Sequence, residues 1–218
     1  MFRIINIIIP NTKESTRLKN KNRMLRDYTL QWLAKEIPTI ETQEQIAIVW
    51  ELRNKNVPVN TENDKQYSFK INPLFVPDEY SNDMKPLLKW CEKRIKGDVN
   101  VLLQLTQPLR REGLLTDTIT TLDNNPKLLV ASYAEVPGER WRIIHDNRWL
   151  EEYRNTNESD TIKLYDGSIY AWDTDYKGAA CLWNFKQKKS FVKNTEYLVD
   201  IDYQKDYDNF MKLKEMNK

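Results

Sequence analysis

The run RIINIII, residues 3–9, constrains the fold more than any other segment of the chain. It is β-branched and apolar almost throughout, with no polar alternation that would leave one face in water. Such a run fits a strand in the middle of a sheet whose two faces are both covered by helices. It is far shorter than the roughly 20 apolar residues of a membrane span. It includes Asn6 and ends in Pro10 without the small-residue cleavage site of a signal peptide. The chain therefore reads as soluble and cytoplasmic, and its 218 residues fit a single domain, 1–218, with a substantial core.

The remaining segments alternate around that strand. YTLQWLAKEI (28–37) places Leu30, Leu33, Ala34 and Ile37 on one helical face and stops at Pro38. QIAIVW (45–50) is a second buried strand, and the polar stretch from Asn54 to Pro77 reads as loop. EYSNDMKPLLKWCEKRI (79–95) is a helix that Pro86 either kinks or opens, followed by a third strand, VNVLLQL. REGLLTDTITTLDN (111–124) is amphipathic and leads into a fourth strand, KLLVASYAE. Beyond Val136, DGSIYAWDTD reads as a turn and then a strand, EYLVDID (196–202) as a strand, and YQKDYDNFMKLKEMN as a charged terminal helix. Alternating strand and helix predict a three-layer α/β/α architecture with a largely parallel sheet. Residues 136–165, irregular and rich in aromatics, are a candidate inserted arm.

Composition removes several function classes. Charged residues make up 30% of the chain yet cancel to +2, so no overall field points to nucleic acid or to a membrane. The one histidine, His145, builds neither a histidine metal site nor a nucleophilic triad with Ser168 or Thr106. Cys91 and Cys181 have no CxxC spacing and suit a reducing compartment. The aromatics Trp141, Trp149, Tyr153, Tyr170 and Trp172 read first as packing groups.

In open α/β sheets ligands bind beyond the carboxyl ends of the strands, and three such places are chemically unusual here. The first, NTKESTRLKNKN (11–22), offers Ser15, Thr16, Arg17, Lys19, Lys21 and Asn22 as donors to an anion, with no glycine in the loop. A solvated basic connection is an equally good reading of that segment alone. The second, LLQLTQPLR (102–110), breaks from apolar strand into Gln104, Thr106 and Gln107, which need a ligand or neighbouring backbone as partner. The third, VDID (199–202), puts Asp200 and Asp202 two apart on a strand, with both carboxylates on one side. That oxygen-only pair suits Mg²⁺ completed by substrate phosphates; the competing reading makes Asp202 the N-cap of the terminal helix.

Taken in order, these segments resemble the sugar-acid cytidylyltransferases, the family of CMP-sialic acid and CMP-Kdo synthetases. IIIPNTKESTRLKNKN resembles the family's IPARGGSKRLPNKN opening, and LLQLTQPLR its LLQPTSPLR. DGSIYAW resembles its NGAIYI-type strand, VDIDYQKDYDNF its closing acidic element and, more loosely, VPDEYSNDMKPLL its RP element. The resemblance runs from about residue 4 to about residue 210. It implies a Rossmann-like nucleotide-diphospho-sugar transferase fold that moves CMP from CTP to a sugar-acid hydroxyl with release of pyrophosphate. It assigns Arg17, Lys21 and Asp200 to catalysis, and Ser15, Asn22, Gln104 and Thr106 to substrate binding. Asp200 and Asp202 would hold Mg²⁺, and a homodimer would use 136–165 to reach its partner subunit.

The departures from the family pattern fall at the phosphate grip. Thr12 stands where the family has its first arginine, Lys13 and Glu14 replace two glycines, and Thr16 replaces a lysine. Lys19 replaces a proline, and Val76 the arginine of the RP element. Two further readings therefore stand beside the cytidylyltransferase one: a relative without turnover acting as a binding or partner subunit, and an enzyme using another nucleotide or acceptor.

Overall fold

The computed structural model describes residues 2–12, 17–18, 20–42, 44–56, 59, 61–137, 144–145, 148–149, 161–176 and 189–216. The apolar run forms β1 (Arg3–Asn11), with β2 (Gln45–Arg53) parallel on one side and β4 (Val99–Leu103) parallel on the other. Its pleat feeds two cores. Ile5, Ile7 and Ile9 pack with α1 (Lys21–Ile40), α4 (Leu114–Asn124) and Phe210 of α5 (Gln204–Met216). Ile8, on the opposite face, packs with Leu87, Leu88, Trp90 and Cys91 of α3 (Met84–Glu92). Both faces are covered, which is why the strand carries no polar stripe.

Among the described residues the main sheet has seven strands in the order β3-β2-β1-β4-β8-β5-β9, with β3 at Ile71–Phe75, β5 at Leu129–Pro137, β8 at Thr161–Asp173 and β9 at Lys189–Lys193. The sheet is mostly parallel; only β8 runs against its neighbours, β4 and β5. Both edge strands depart from the sequence expectation. β3 lies inside the segment read as loop and tolerates Pro73 because an edge strand has one side unpaired. β9 begins at Lys189, in a stretch where no strand is expected from the sequence, and lysines suit a strand edge that must not pair further.

Three other expectations are corrected. α1 begins at Lys21, seven residues earlier than Tyr28, after Asn20 takes a left-handed turn at φ 58°, a conformation asparagine tolerates. The helix also passes through Pro38, in its last turn, to Ile40. EYLVDID is not a strand: it crosses the carboxyl ends of the sheet, and Ile201 N donates to the Thr106 carbonyl (2.8 Å) instead of joining a ladder. The expected helix 79–95 divides into α2 (Asp78–Ser81) and α3, with Asp83 capping α3 and Pro86 in its first turn, as one of the two readings of Pro86 required.

DGS, read as a turn, lies inside β8 as a bulge where the register to β5 shifts. Gly167 sits there at φ 69°, and a β-carbon on it would come within 3.0–3.2 Å of the Gln107 amide. Gly167→Ala is therefore expected to lower unfolding free energy by about 1–3 kcal/mol. A denaturant midpoint unchanged from wild type would contradict that account.

The proposed arm, 136–165, falls mostly outside the described residues, apart from an antiparallel pair of short strands, β6 (Ile144–His145) and β7 (Arg148–Trp149), and the ends of β5 and β8. Among the described residues, no helix is long and apolar enough to cross a membrane.

Candidate active site

A pocket of about 420 Å³ opens at the carboxyl ends of β1 and β4. Four segments build it. Pro10, Thr12 and Arg17 come from the exit of β1, and Lys21 and Asn22 from the first turn of α1. Gln104, Leu105 and Thr106 come from the exit of β4, and Asp202 from the segment before α5. A further wall, Ser81, Asn82, Met84 and Leu87, is supplied by α2 and α3.

The structure thus gathers Arg17, Lys21, Asn22, Gln104, Thr106 and Asp202, though they span most of the chain. Asp200 joins them through a hydrogen bond from Thr106 and through the charge of Asp202. Ser15 lies outside the described residues, with Lys13, Glu14, Thr16 and Lys19.

Asp202 is the electrostatic centre. Lys21 Nζ donates to its Oδ1 at 2.9 Å and Arg17 Nη1 to its Oδ2 at 2.6 Å. The hydrogen bond from Lys21, then its charge and that of Arg17, hold the Asp202 carboxyl below the usual carboxylate range against partial burial. Asp200 behaves oppositely. Burial of its carboxyl end, together with the charge of Asp202, holds it above that range, against the Thr106 hydrogen bond and the charge of Lys21. Asp202 is not the helix cap: Tyr203 precedes Gln204, and its N–H donates to the Asp206 carboxylate at 2.8 Å.

The loop after β4 is fixed from beneath by Arg110, the last residue of LLQLTQPLR. Its buried guanidinium donates to the Gln104 carbonyl (2.7 Å), the Ser168 carbonyl (3.0 Å) and Thr29 Oγ1 (3.2 Å). Burial lowers its proton affinity and the charge of Asp166 works the other way. Asp166 in turn accepts from Ser132, from the Ser168 N–H and from Asn194.

On the other side, the root of the opening loop is held by side chains. Asn11 Nδ2 donates to Glu51 at 2.8 Å, and Thr12 Oγ1 donates to the Ser81 carbonyl at 2.9 Å. Thr12, where the resemblance leads one to expect a cation, is thus a buried neutral strut. Sequence reading missed the α2–α3 wall, whose one signal was the loose likeness of VPDEYSNDMKPLL. It also missed Glu51, which sits at a strand end as an isolated acid.

No protein-family model matches this chain, and no curated protein does either. Solved structures do match over nearly its full length. One is a CMP:2-keto-3-deoxy-manno-octonic acid synthetase complexed with CTP, at TM-score 0.69 and 13% identity, covering 98% of this chain and 99% of that one. The chain has the nucleotide-diphospho-sugar transferase fold. A second match is the 2-C-methyl-D-erythritol 4-phosphate cytidylyltransferase of Thermus thermophilus, at TM-score 0.61 and 10% identity, covering 98% of both chains. A third is the 4-diphosphocytidyl-2C-methyl-D-erythritol synthase of Anaerococcus prevotii, at TM-score 0.60 and 13% identity, covering 100% of this chain and 97% of that one. At these identities the fold is what is shared, and this chain carries its own set of residues on it.

Proposed function

We propose that this protein is a nucleotidyltransferase that moves CMP from CTP to a hydroxyl of a sugar acid. The observation that carries the reading is the convergence of Arg17, Lys21, Asn22, Gln104, Thr106 and Asp202 on one pocket at the strand ends. Support comes from the fold, one of whose solved examples is a complex with CTP.

In the proposed reaction the hydroxyl oxygen attacks the α-phosphorus and gives up its proton to solvent, while the bond from the α-phosphorus to the oxygen bridging it to the β-phosphorus breaks. Pyrophosphate leaves with that electron pair. Arg17 and Lys21 would meet the phosphate oxygens, the lysine as a point charge and the arginine as a fork. Held in place before reaction, they offset charge that grows in the transition state. Gln104 and Thr106 would orient the acceptor, and Asn22 the nucleotide.

The acidic groups fit Mg²⁺. Among the described residues no group of three His, Cys, Asp or Glu gathers to hold a metal, and the case for Mg²⁺ rests on two carboxylates of the oxygen-only kind that it takes beside substrate phosphates. Asp200 and Asp202 would hold it, and a cation beside Asp200 would offset the burial and repulsion that raise its carboxyl. When bound, the ion adds positive charge at the phosphates.

At about 100 times its Kd, CTP with Mg²⁺ should raise the melting temperature by roughly 5–10 °C. Asp200→Asn should remove the magnesium-dependent part. Pyrophosphate release, screened over nucleoside triphosphates against sialic, Kdo-like and related acids, then identifies both substrates. The absence of any shift with every triphosphate would defeat the enzyme reading.

One observation favours a second reading, a binding or partner subunit without turnover. Thr12 brings no charge to the pocket and its hydroxyl is committed to Ser81. A melting shift with CTP but no pyrophosphate from any acid would select it.

A further inference from the structure

The two cations of the pocket already hold an anion that belongs to the chain. Both oxygens of Asp202 are engaged, one by Lys21 (2.9 Å) and one by Arg17 (2.6 Å). This is the two-oxygen, charge-assisted arrangement that a phosphoryl group also presents. We propose that Asp202 is an internal stand-in for phosphate, so that a polyphosphate reaches Arg17 and Lys21 only by displacing it, and Asp202 thereby sets the site's affinity and selectivity. The proposal deepens the nucleotide reading and rests on it for the identity of the natural ligand.

The carboxylate is delivered by a tail that is itself held down. Ile201 N donates to the Thr106 carbonyl (2.8 Å), and the N–H groups of Asp202 and Tyr203 both donate to the Asp206 carboxylate (3.1 and 2.8 Å). The Tyr203 ring lies under the Arg17 guanidinium, 5.6 Å from its centroid, so the segment that supplies the anion also supports the cation. Lys21 leaves only 9% of its side chain to solvent, and so has few conformations by which to leave Asp202 for an incoming ligand.

Charge balance points the same way. Among the described residues Arg17 and Lys21 are matched by Asp200 and Asp202, so this set of groups offers an approaching anion no net attraction until a carboxylate withdraws or is neutralised. A tethered carboxylate also competes at a high effective concentration. A ligand bearing one small charge is outcompeted, whereas a triphosphate chain, with several charges, wins the exchange. The selectivity is produced by what the anion must displace, in addition to what it touches.

The test uses the full chain in EDTA, with inorganic tripolyphosphate and CTP as probes and calorimetry as the readout. Asp202→Asn keeps the shape and hydrogen-bonding reach of the side chain while removing its charge. Asp202→Ser shortens it and serves as the second variant. Both are expected to bind tripolyphosphate about tenfold more tightly than wild type, since the internal competitor is gone. Affinity equal to or weaker than wild type overturns the inference, and so does binding of neither anion by any of the three proteins. If wild type and variants bind CTP equally well, the inference falls and the nucleotide reading stands. If the variants hold tripolyphosphate more tightly while none of the three proteins binds CTP, even when Mg²⁺ replaces EDTA, the inference stands and the nucleotide reading falls.

Discussion

Glu51→Ala is expected to remove about 3–5 kcal/mol of stability and to lower the melting temperature by roughly 6–20 °C. Glu51 is 1% exposed and receives five hydrogen bonds from three residues. Arg26, 2% exposed, donates from Nε to Oε1 (2.7 Å) and from Nη2 to Oε2 (2.9 Å). Arg53 donates to Oε2 from Nε (3.0 Å) and Nη2 (2.5 Å), and Asn11 to Oε1 (2.8 Å). Arg26 also reaches Asp64 at 2.8 and 3.0 Å. Without Glu51, the Arg26 and Arg53 guanidinium groups share Asp64, with Asp27 only at 4.0 Å from Arg26, and Asn11 loses its Glu51 hydrogen bond at the root of the opening loop. Leaving one member of a buried pair uncompensated is much worse than never having built it.

The same group fixes an acid limit. Burial alone would raise the Glu51 carboxyl, but the hydrogen bonds and charge of Arg26, with Asn11 and Arg53, bring it below its ordinary value. A carboxyl whose folded pKa is depressed contributes stability that is complete above its unfolded pKa, about 4.3. That contribution is lost as pH falls through the lower folded value. Glu51→Gln should therefore flatten the acid limb of the stability curve below about pH 4.3. Urea midpoints between pH 3 and 7 measure both effects, and an unaltered acid limb would show that the cluster is not coupled to folding.

Lys21→Met should reduce kcat/KM for CTP-dependent pyrophosphate release by roughly 10³-fold, about 4 kcal/mol of transition-state stabilisation. Lys21 stands on the first turn of α1, buried along its stem, with its ammonium directed at Asp202. Methionine keeps the stem's apolar contacts and deletes the charge alone. Arg17, with 54% of its side chain exposed, is screened by water, and Arg17→Ala should cost less, on the order of tenfold. If Lys21→Met retained activity within about threefold of wild type and melted normally, lysine would have no part in the chemistry.

The parts of the fold that were legible in the sequence are those where one physical demand dominated. β1 had to be apolar on both faces because both are covered, and nothing else explains RIINIII. The edge strands answer to two demands at once, pairing on one side and refusing it on the other. Pro73 and Lys189 serve the second and hide the first. The early turns of α1 were obscured for a related reason: Lys21, Asn22 and Arg26 are polar because they face the pocket or the Glu51 cluster, so the apolar period begins only at Tyr28. In the candidate site, Arg17, Lys21, Gln104, Thr106 and the two aspartates were singled out through their order along the chain, and all but Asp200 line one pocket. Their geometry was not legible: Asp200 and Asp202 meet the pocket from a crossing segment, where the alternation of a strand has no bearing.

That crossing segment has a consequence for how the molecule is made. All seven strands of the sheet end by Lys193, whereas Asp200 and Asp202 come later. A chain emerging from the ribosome has therefore produced every strand, the opening loop and Lys21 before the acids that complete the pocket exist. Until the segment 196–202 is released and crosses the strand ends, Arg17 and Lys21 are without the carboxylate of Asp202.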